Sequence, residues 1–192
     1  MLSGIALQRP PARVGYGAWT HPQESFMDSL SQLAAELGHQ LHALNAQVTT
    51  AESCTGGGIA EAITRIAGSS AWFEAGFVTY SNQQKTQQLN VPQSLFAQVG
   101  AVSREVVEAM VRGAQVQSSA RFAVAVSGVA GPGGGSAEKP VGTVWLAWGA
   151  GDEVTAECRH FSGDRDDVRR QTIIAALEGL IRRTVREIEN QG

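Results

Sequence analysis

The chain has 192 residues, 43% of them hydrophobic, and this length allows one domain with a well-buried core. A formal net charge of -3 provides no broad basic surface for nucleic acid, and no apolar run reaches the roughly 18 residues of a membrane-spanning helix. The two cysteines, Cys54 and Cys158, have neither zinc-ligand spacing nor the pattern of a disulfide framework. These features predict a cytoplasmic protein that binds neither nucleic acid nor a membrane.

The N-terminal residues 1–26 contain three prolines and no apolar periodicity. They predict a loosely ordered extension in front of a single domain over residues 27–192. Leucines at three- and four-residue spacing predict a first helix over residues 28–44. A short apolar strand over 48–51 follows, and isoleucines at helical spacing predict a second helix over 54–67.

The remainder of the chain continues the alternation of strand and helix patterns. It comprises, in order, a strand over 76–80, short helices beginning near 82 and 91, a longer helix after Ser103, a strand over 122–126, two strands over 141–148 and 154–161, and a helix over 164–189. The two late strands are separated by a short glycine-containing turn and predict a hairpin. This order predicts an α/β fold, a three-layer α/β/α sandwich with a mixed sheet.

The stretch AESCTGGG, residues 51–58, joins the first strand to the second helix. Unpaired amide N–H groups and the positive end of the helix dipole stabilise an anion or a developing oxyanion at such a junction. Ser53 is therefore a candidate nucleophile, although a serine in this position is more often a helix N-cap. Cys54 competes for the role because a helix N-terminus lowers the pKa of a thiol, but a small buried structural cysteine is the commoner case.

Tyr80 and Lys85 follow the next predicted strand. Both side chains are expected over the carboxyl edge of the sheet, where open α/β folds bind ligands. A lone lysine on a polar helix is usually solvated. The chain offers no histidine in the position of a base, however, and a lysine desolvated near a tyrosine can have a pKa low enough to accept a proton from a serine.

A glycine-rich loop over residues 128–135, which includes Gly131, leaves the strand at 122–126. Five glycines in eight residues favour tight backbone geometry. Close contact between this backbone and a substrate, or a long structural turn, would both account for the composition.

Two arginines, Arg165 and Arg169, lie four residues apart at the head of the last predicted helix. At this spacing their side chains share one face, where guanidinium groups bind phosphate or carboxylate. The aspartates beside them suit the helix dipole, so that plain capping explains the acidic residues equally well.

Five motifs occur in order along the chain: TAESCTGG, AGSSAWFEAGFVTYSNQQK, GAVSREVV, SGVAGPGGGSAEKPVGTVW and GDRDDVRRQ. Together they resemble the PncC family of nicotinamide-nucleotide amidohydrolases, whose members are similar to the C-terminal domain of the competence/damage-inducible protein CinA. The resemblance runs from about residue 30 to residue 180. It implies hydrolysis of the carboxamide of nicotinamide mononucleotide to nicotinic acid mononucleotide and ammonia, without a metal or another cofactor.

The resemblance also implies roles for individual residues. Members of the family use a serine with a lysine and a nearby tyrosine, and the matching positions are Ser53, Lys85 and Tyr80. An arginine of the GDRD segment is expected to bind substrate, which indicates Arg165 first and Arg169 second. The backbone expected to hold the oxyanion or to line the substrate site belongs to Cys54, Thr55, Gly56, Gly57 and Gly131.

Two other functions remain open on the sequence. A non-catalytic pyridine-nucleotide-binding module, linked to competence or DNA damage, would need the pocket but no chemistry. An amidohydrolase with Cys54 as nucleophile would need the thiol. Apolar stripes on the helices favour a homo-oligomer in either case.

Overall fold

A computed structural model describes residues 23–191, with side chains from residue 29 onwards. The helices are α1 (Gln23–Ala43), α2 (Gly58–Thr64), α3 (Asn82–Leu89), α4 (Gln93–Gln98), α5 (Arg104–Ser118) and α6 (Arg165–Gln191). The strands are β1 (Val48–Glu52), β2 (Phe73–Val78), β3 (Phe122–Gly128), β4 (Thr143–Ala150) and β5 (Glu153–His160). Of the predicted N-terminal extension, residues 1–22 lie outside the described part. No helix within the described range has the length and apolarity to cross a bilayer.

The five strands form one mixed sheet in the order β2-β1-β3-β4-β5. Strand β1 pairs in parallel with β2 on one side and with β3 on the other. Strands β4 and β5 are antiparallel to their neighbours and form the predicted hairpin. The carboxyl ends of β1, β2 and β3 therefore meet at one edge of the sheet, which is the edge where ligands bind in open α/β folds.

Each face of the sheet carries its own core, because successive side chains of a strand point to opposite faces. One face presents bulky residues to α1, α2 and α6, and these include Val48, Phe122, Val124, Leu146 and Trp148. The other face presents small residues to α3 and α5: Ala51, Ala123, Ala125 and Ala147. The predicted three-layer α/β/α sandwich with a mixed sheet is confirmed.

The alanine face of the sheet belongs to a layer that packs very closely. Within this layer Gly113 of α5 lies against the last turn of α3, and a Cβ atom there would stand 2.0 Å from the carbonyl oxygen of Leu89. Only a glycine allows this approach. The position of α3, and with it that of Lys85, thus depends on a residue of α5.

Several predicted boundaries differ from the structure: β2 begins three residues before the expected residue 76, β4 begins and ends two residues later than expected, and α2 ends at Thr64 instead of residue 67. Helix α1 begins at Gln23, five residues before the expected start. The second helix begins at Gly58 instead of residue 54, because Gly56 and Gly57 adopt φ angles of 60° and 98°. These left-handed conformations are incompatible with a right-handed α-helix, so residues 53–57 form a turn.

We predict that Gly113→Ala destabilises the protein by about 1–2 kcal/mol, although alanine is the better helix former by roughly 1 kcal/mol. The added methyl group displaces Leu89 and the end of α3. Urea unfolding measures the change. Gly133→Ala is the matched control, because a Cβ atom at Gly133 has no neighbour within 4 Å. A more stable Gly113→Ala protein would contradict the close contact.

Candidate active site

Four segments converge at the carboxyl edge of the parallel strands. Residues 53–57 follow β1, residues 79–85 lead from β2 into α3, residues 129–132 follow β3, and residues 165–169 open α6. Hydrogen bonds connect the segments, since Lys85 contacts the first, and the α6 arginines contact all three of the others. All four candidate segments of the sequence therefore meet in one place.

The hydroxyl of Ser53 and the amine of Lys85 are in direct contact. Lys85 Nζ lies 3.0 Å from Ser53 Oγ and donates a hydrogen bond of 2.9 Å to the carbonyl oxygen of Thr79. Thr79 is held in turn by its amide, which donates to the carbonyl oxygen of Glu52. The amine is thereby fixed between the ends of two neighbouring strands.

Burial changes the acidity of this amine. Lys85 is 1% exposed, and desolvation lowers its pKa from 10.5 to about 8. A large fraction of Lys85 is thus neutral at mildly alkaline pH and able to accept a proton.

The helix that carries Lys85 starts as predicted, since Ser81 is the N-cap of α3 and its Oγ accepts from the amide of Gln84.

The thiol of Cys54 has the opposite character. Cys54 is buried, and desolvation raises its pKa to about 12. A thiol that stays protonated is a poor nucleophile. Cys54 also lies four residues before the start of α2, so the burial of the thiol and its distance from the helix both favour the structural alternative.

Glu52, the second residue of the AESCTGGG stretch, is a further functional candidate, for which the sequence patterns predict no role. Its carboxylate is fully buried and accepts four hydrogen bonds. The donors are the hydroxyl of Thr55 at 2.6 Å and the amides of Gly57, Ile59 and Ala60 at 3.1, 3.0 and 2.8 Å. The sequence signal for such a role is a glutamate directly after an apolar strand, since glutamate is rarely buried without partners.

These contacts narrow the set of amides that remain for an oxyanion. Gly57 donates to Glu52, and Gly56 donates to the carbonyl oxygen of Ser53. Neither amide is therefore free, contrary to expectation. Within residues 23–191, no backbone carbonyl accepts from the amides of Cys54 and Thr55, although both amides lie near enough to the Cys54 thiol to act on its pKa.

The α6 arginines link the remaining candidates. Arg165 donates through Nη1 to the carbonyl oxygen of Gly131 at 2.8 Å and through Nη2 to the Tyr80 hydroxyl at 2.9 Å. Arg169 donates to the carbonyl oxygen of Thr55 at 3.0 Å. Tyr80 is 60% exposed, so its hydroxyl lies with Arg165 at the rim of the site and not in the buried contact between serine and lysine.

A cleft of about 540 Å³ opens beside these groups. It is lined on one side by Ala130, Gly131, Pro132 and Val141, and on the other by residues 163–166. This volume suits a small-molecule ligand. No group of three or more His, Cys, Asp or Glu residues with the arrangement of a metal site occurs in the described part of the chain.

Comparison with known proteins identifies the family. A family model described as the CinA C-terminal domain matches residues 30–184. The chain belongs to this family. Among solved structures, a CinA-superfamily protein from Klebsiella pneumoniae has a TM-score of 0.79 and 34% identity, over 82% of this chain and 98% of that one. A competence/damage-inducible protein from Agrobacterium tumefaciens has a TM-score of 0.77 and 48% identity, over 79% and 93%.

Curated relatives cover the same region. A protein from Pseudomonas putida named nicotinamide-nucleotide amidohydrolase PncC is 74% identical over 81% of this chain and 97% of its own length. A protein of the same name from Escherichia coli K12 is 56% identical over 79% and 92%. A CinA-like protein from Colwellia psychrerythraea is 53% identical over 82% of this chain but only 36% of its own length. The CinA C-terminal domain thus occurs both alone and within longer chains.

We predict a pH-dependent effect of Lys85→Met on stability. Because the pKa of Lys85 is about 8 in the folded protein and 10.5 when unfolded, the unfolded chain binds more protons between these values. The desolvation cost is therefore fully present below pH 8 and fades as the pH approaches 10.5. Between pH 7 and pH 10, the free energy of unfolding of wild type should increase by roughly 2 kcal/mol relative to that of the variant.

Denaturant unfolding at several pH values measures this difference. Lys139→Met is the matched control, since Lys139 also donates to a backbone carbonyl, that of Val99, but is less buried than Lys85. The wild-type minus Lys139→Met difference should stay nearly constant over the same range. A constant difference for Lys85→Met as well would show that the amine is not desolvated.

Proposed function

We propose that this chain hydrolyses the carboxamide of nicotinamide mononucleotide, giving nicotinic acid mononucleotide and ammonia, with Ser53 as nucleophile and Lys85 as base. The observation that carries the proposal is the 3.0 Å contact between Ser53 Oγ and the buried, desolvated amine of Lys85. The reaction class is supported by two relatives named nicotinamide-nucleotide amidohydrolase, which match nearly their whole length.

Acylation begins when Ser53 Oγ attacks the carboxamide carbon and Lys85 accepts the hydroxyl proton. The carbonyl oxygen of Thr79 holds one N–H of the amine, so that the lone pair of neutral Lys85 is free to face Ser53. As the tetrahedral intermediate collapses, the C–N bond breaks, and Lys85 returns the proton to the leaving nitrogen. Ammonia departs and leaves an ester between Ser53 and the nicotinoyl group.

Deacylation repeats the same proton transfers with water as the nucleophile. Lys85, again neutral, takes a proton from a water that attacks the ester carbon. The bond to Ser53 Oγ then breaks, and the serine recovers its proton from the lysine. The product is a carboxylate, and both protonation states of Lys85 needed for the cycle are accessible near pH 8.

The negative charge on the tetrahedral oxygen is stabilised by the amides of Cys54 and Thr55. They belong to the residues directly after the nucleophile and are not engaged by other backbone groups of the described chain. Donors held in place before the reaction stabilise such a charge without reorganisation, and each one contributes about 10²–10³-fold to turnover.

The nucleotide lies in the cleft beside α6. Both hydrogen bonds of Arg165 go to neutral oxygens, so its positive charge remains available to a phosphate. Arg169 donates to the Thr55 carbonyl and also pairs with the exposed Asp166 at 3.6 Å, so its charge is partly compensated and it is the second candidate for the phosphate. Gly131 and Tyr80 line the same side, and assistance of Lys85 by Tyr80 stays a prediction.

The reaction is assigned to the cytoplasm, where the two free thiols of Cys54 and Cys158 remain reduced. A homo-oligomer is supported by the partly exposed Val185 and Ile188 on α6. A regulatory module that only binds the nucleotide is the alternative, favoured by the CinA-like relative. A module that only binds the nucleotide would not require a buried lysine amine in contact with a serine hydroxyl.

Ser53→Ala tests the proposal. The variant should lower the kcat for ammonia release from nicotinamide mononucleotide by at least about 10⁴-fold, because no other group of the site replaces the nucleophile. Its affinity for the mononucleotide, measured calorimetrically, should stay within a few-fold. Ser118→Ala is the control, since Ser118 ends α5 just before β3 begins, at the edge of the sheet opposite the site. Wild-type protein that binds the nucleotide and releases no ammonia would favour the regulatory alternative instead.

The pH dependence of kcat/KM tests the base. If neutral Lys85 accepts the proton, kcat/KM should rise about tenfold per pH unit at acidic pH and level off above pH 8. Continuous ammonia detection between pH 5.5 and 9.5 gives the profile, and doubling the coupling enzyme should leave it unchanged. A flat profile, or one that levels off below pH 6.5, is incompatible with this lysine as the base.

A further inference from the structure

Glu52 is a buried charged group that the proposed chemistry does not use as acid, base or nucleophile. A buried carboxylate is costly unless hydrogen bonds compensate for lost hydration. All four compensating donors belong to residues 55–60, the stretch that follows the nucleophile. This concentration of partners points to a role in the shape of that stretch.

The carboxylate binds two donors of the turn and two of the first turn of α2. Oε2 accepts from the Thr55 hydroxyl and from the amides of Gly57 and Ile59, and Oε1 accepts from Ala60. The chain turns back toward Glu52 through left-handed conformations at Gly56 and Gly57. The first turn of α2 is thereby occupied by a side chain and is closed to a substrate anion.

We propose that Glu52 is a positioning residue for the amidohydrolase reaction. Its carboxylate accepts hydrogen bonds from residues 55–60 and thereby fixes the turn. In this turn the amides of Cys54 and Thr55 face the oxygen of the acylated intermediate. This inference rests on the proposed function, since it assigns the oxyanion donors of that reaction. Glu52 acts through the backbone and touches no reacting atom.

The strand places the two groups on opposite sides. Glu52 reaches α2 on the bulky face of the sheet, whereas Ser53, the next residue, contacts Lys85 of α3 on the small face. A carboxylate can therefore hold the turn without facing the bond that forms at Ser53. Its charge is compensated by amides at the start of α2, where the helix dipole is positive.

Glu52→Gln retains the size of the side chain and removes part of its acceptor capacity. A glutamine has one carbonyl oxygen, so its NH₂ group must face at least one of the four donors. We expect kcat to fall on the order of 10²-fold, as is typical when reacting groups are misplaced. KM and the pH at which kcat/KM levels off should stay unchanged, because Lys85 keeps both of its partners.

The second readout is labelling of Ser53 by a fluorophosphonate, which does not depend on the natural substrate. Ser53 Oγ forms a bond to phosphorus, fluoride leaves, and Lys85 takes the serine proton. The phosphoryl oxygen then occupies the position of the oxyanion. Glu52→Gln should slow labelling in proportion to kcat, with the site of modification confirmed by mass spectrometry.

Glu61→Gln is the matched control. Glu61 lies on α2 and pairs with Arg65 at the surface, so the same chemical change there should leave kcat and labelling at wild-type values. Circular dichroism and thermal unfolding determine the folded fraction of each variant. Should Glu52→Gln fail to fold, Thr55→Val removes one of the four donors with little change in volume, and a loss of about 5- to 10-fold in kcat is expected.

The outcomes separate the two proposals. Folded Glu52→Gln with wild-type kcat and labelling rate overturns the role of Glu52, as does a loss that appears in KM alone. If wild type is labelled at Ser53 but releases no ammonia, the substrate assignment fails, and the labelling rates still decide the role of Glu52. If wild type shows neither activity nor labelling, both proposals fail.

Discussion

The contact between Ser53 and Lys85 depends on an amine that is removed from water. Lys85 projects from α3 into the space between the ends of β1 and β2, where Thr79 and Ser53 are its polar partners. Desolvation lowers its pKa to about 8, so a much larger fraction of the amine is neutral and able to accept a proton near neutral pH. The proposed chemistry follows from this single burial, since Lys85 is the amine in hydrogen-bond contact with Ser53 and the Glu52 carboxylate is occupied by donors of residues 55–60.

The small residues of one sheet face allow that burial. Alanines on β1, β3 and β4 let α5 approach the sheet, and Gly113 lets α3 approach α5. The other face, with Phe122 and Trp148, packs against α1, α2 and α6. The core on the bulky face therefore stabilises the sandwich. The core on the small face also determines how far Lys85 extends toward Ser53.

Much of the fold could be predicted from short-range patterns. The leucine spacing of α1 and the apolar run of β3 gave the right element types, and the order of elements gave the layers. The contact of Ser53 with Lys85 spans 32 residues and could not be derived from spacing; the lack of a histidine base suggested the pair, and the motif resemblance supported it. The sequence patterns predicted neither the start of α2 nor the role of Glu52. Both depend on a turn stabilised by two glycines in left-handed conformation and by a buried carboxylate, and the spacing of apolar residues contains no information about such a turn.

Electrostatics then orients the substrate. The start of α2 is filled by Glu52, and the start of α6 is capped by Asp164 and Asp167, which exchange hydrogen bonds with each other's amides. Neither helix terminus is left for a phosphate, although such termini commonly bind one. In the proposed function the phosphate therefore binds the guanidinium of Arg165, whose two hydrogen bonds go to neutral oxygens. A nucleotide bound there would direct its uncharged carboxamide toward Ser53, and its negative charge away from the buried carboxylate.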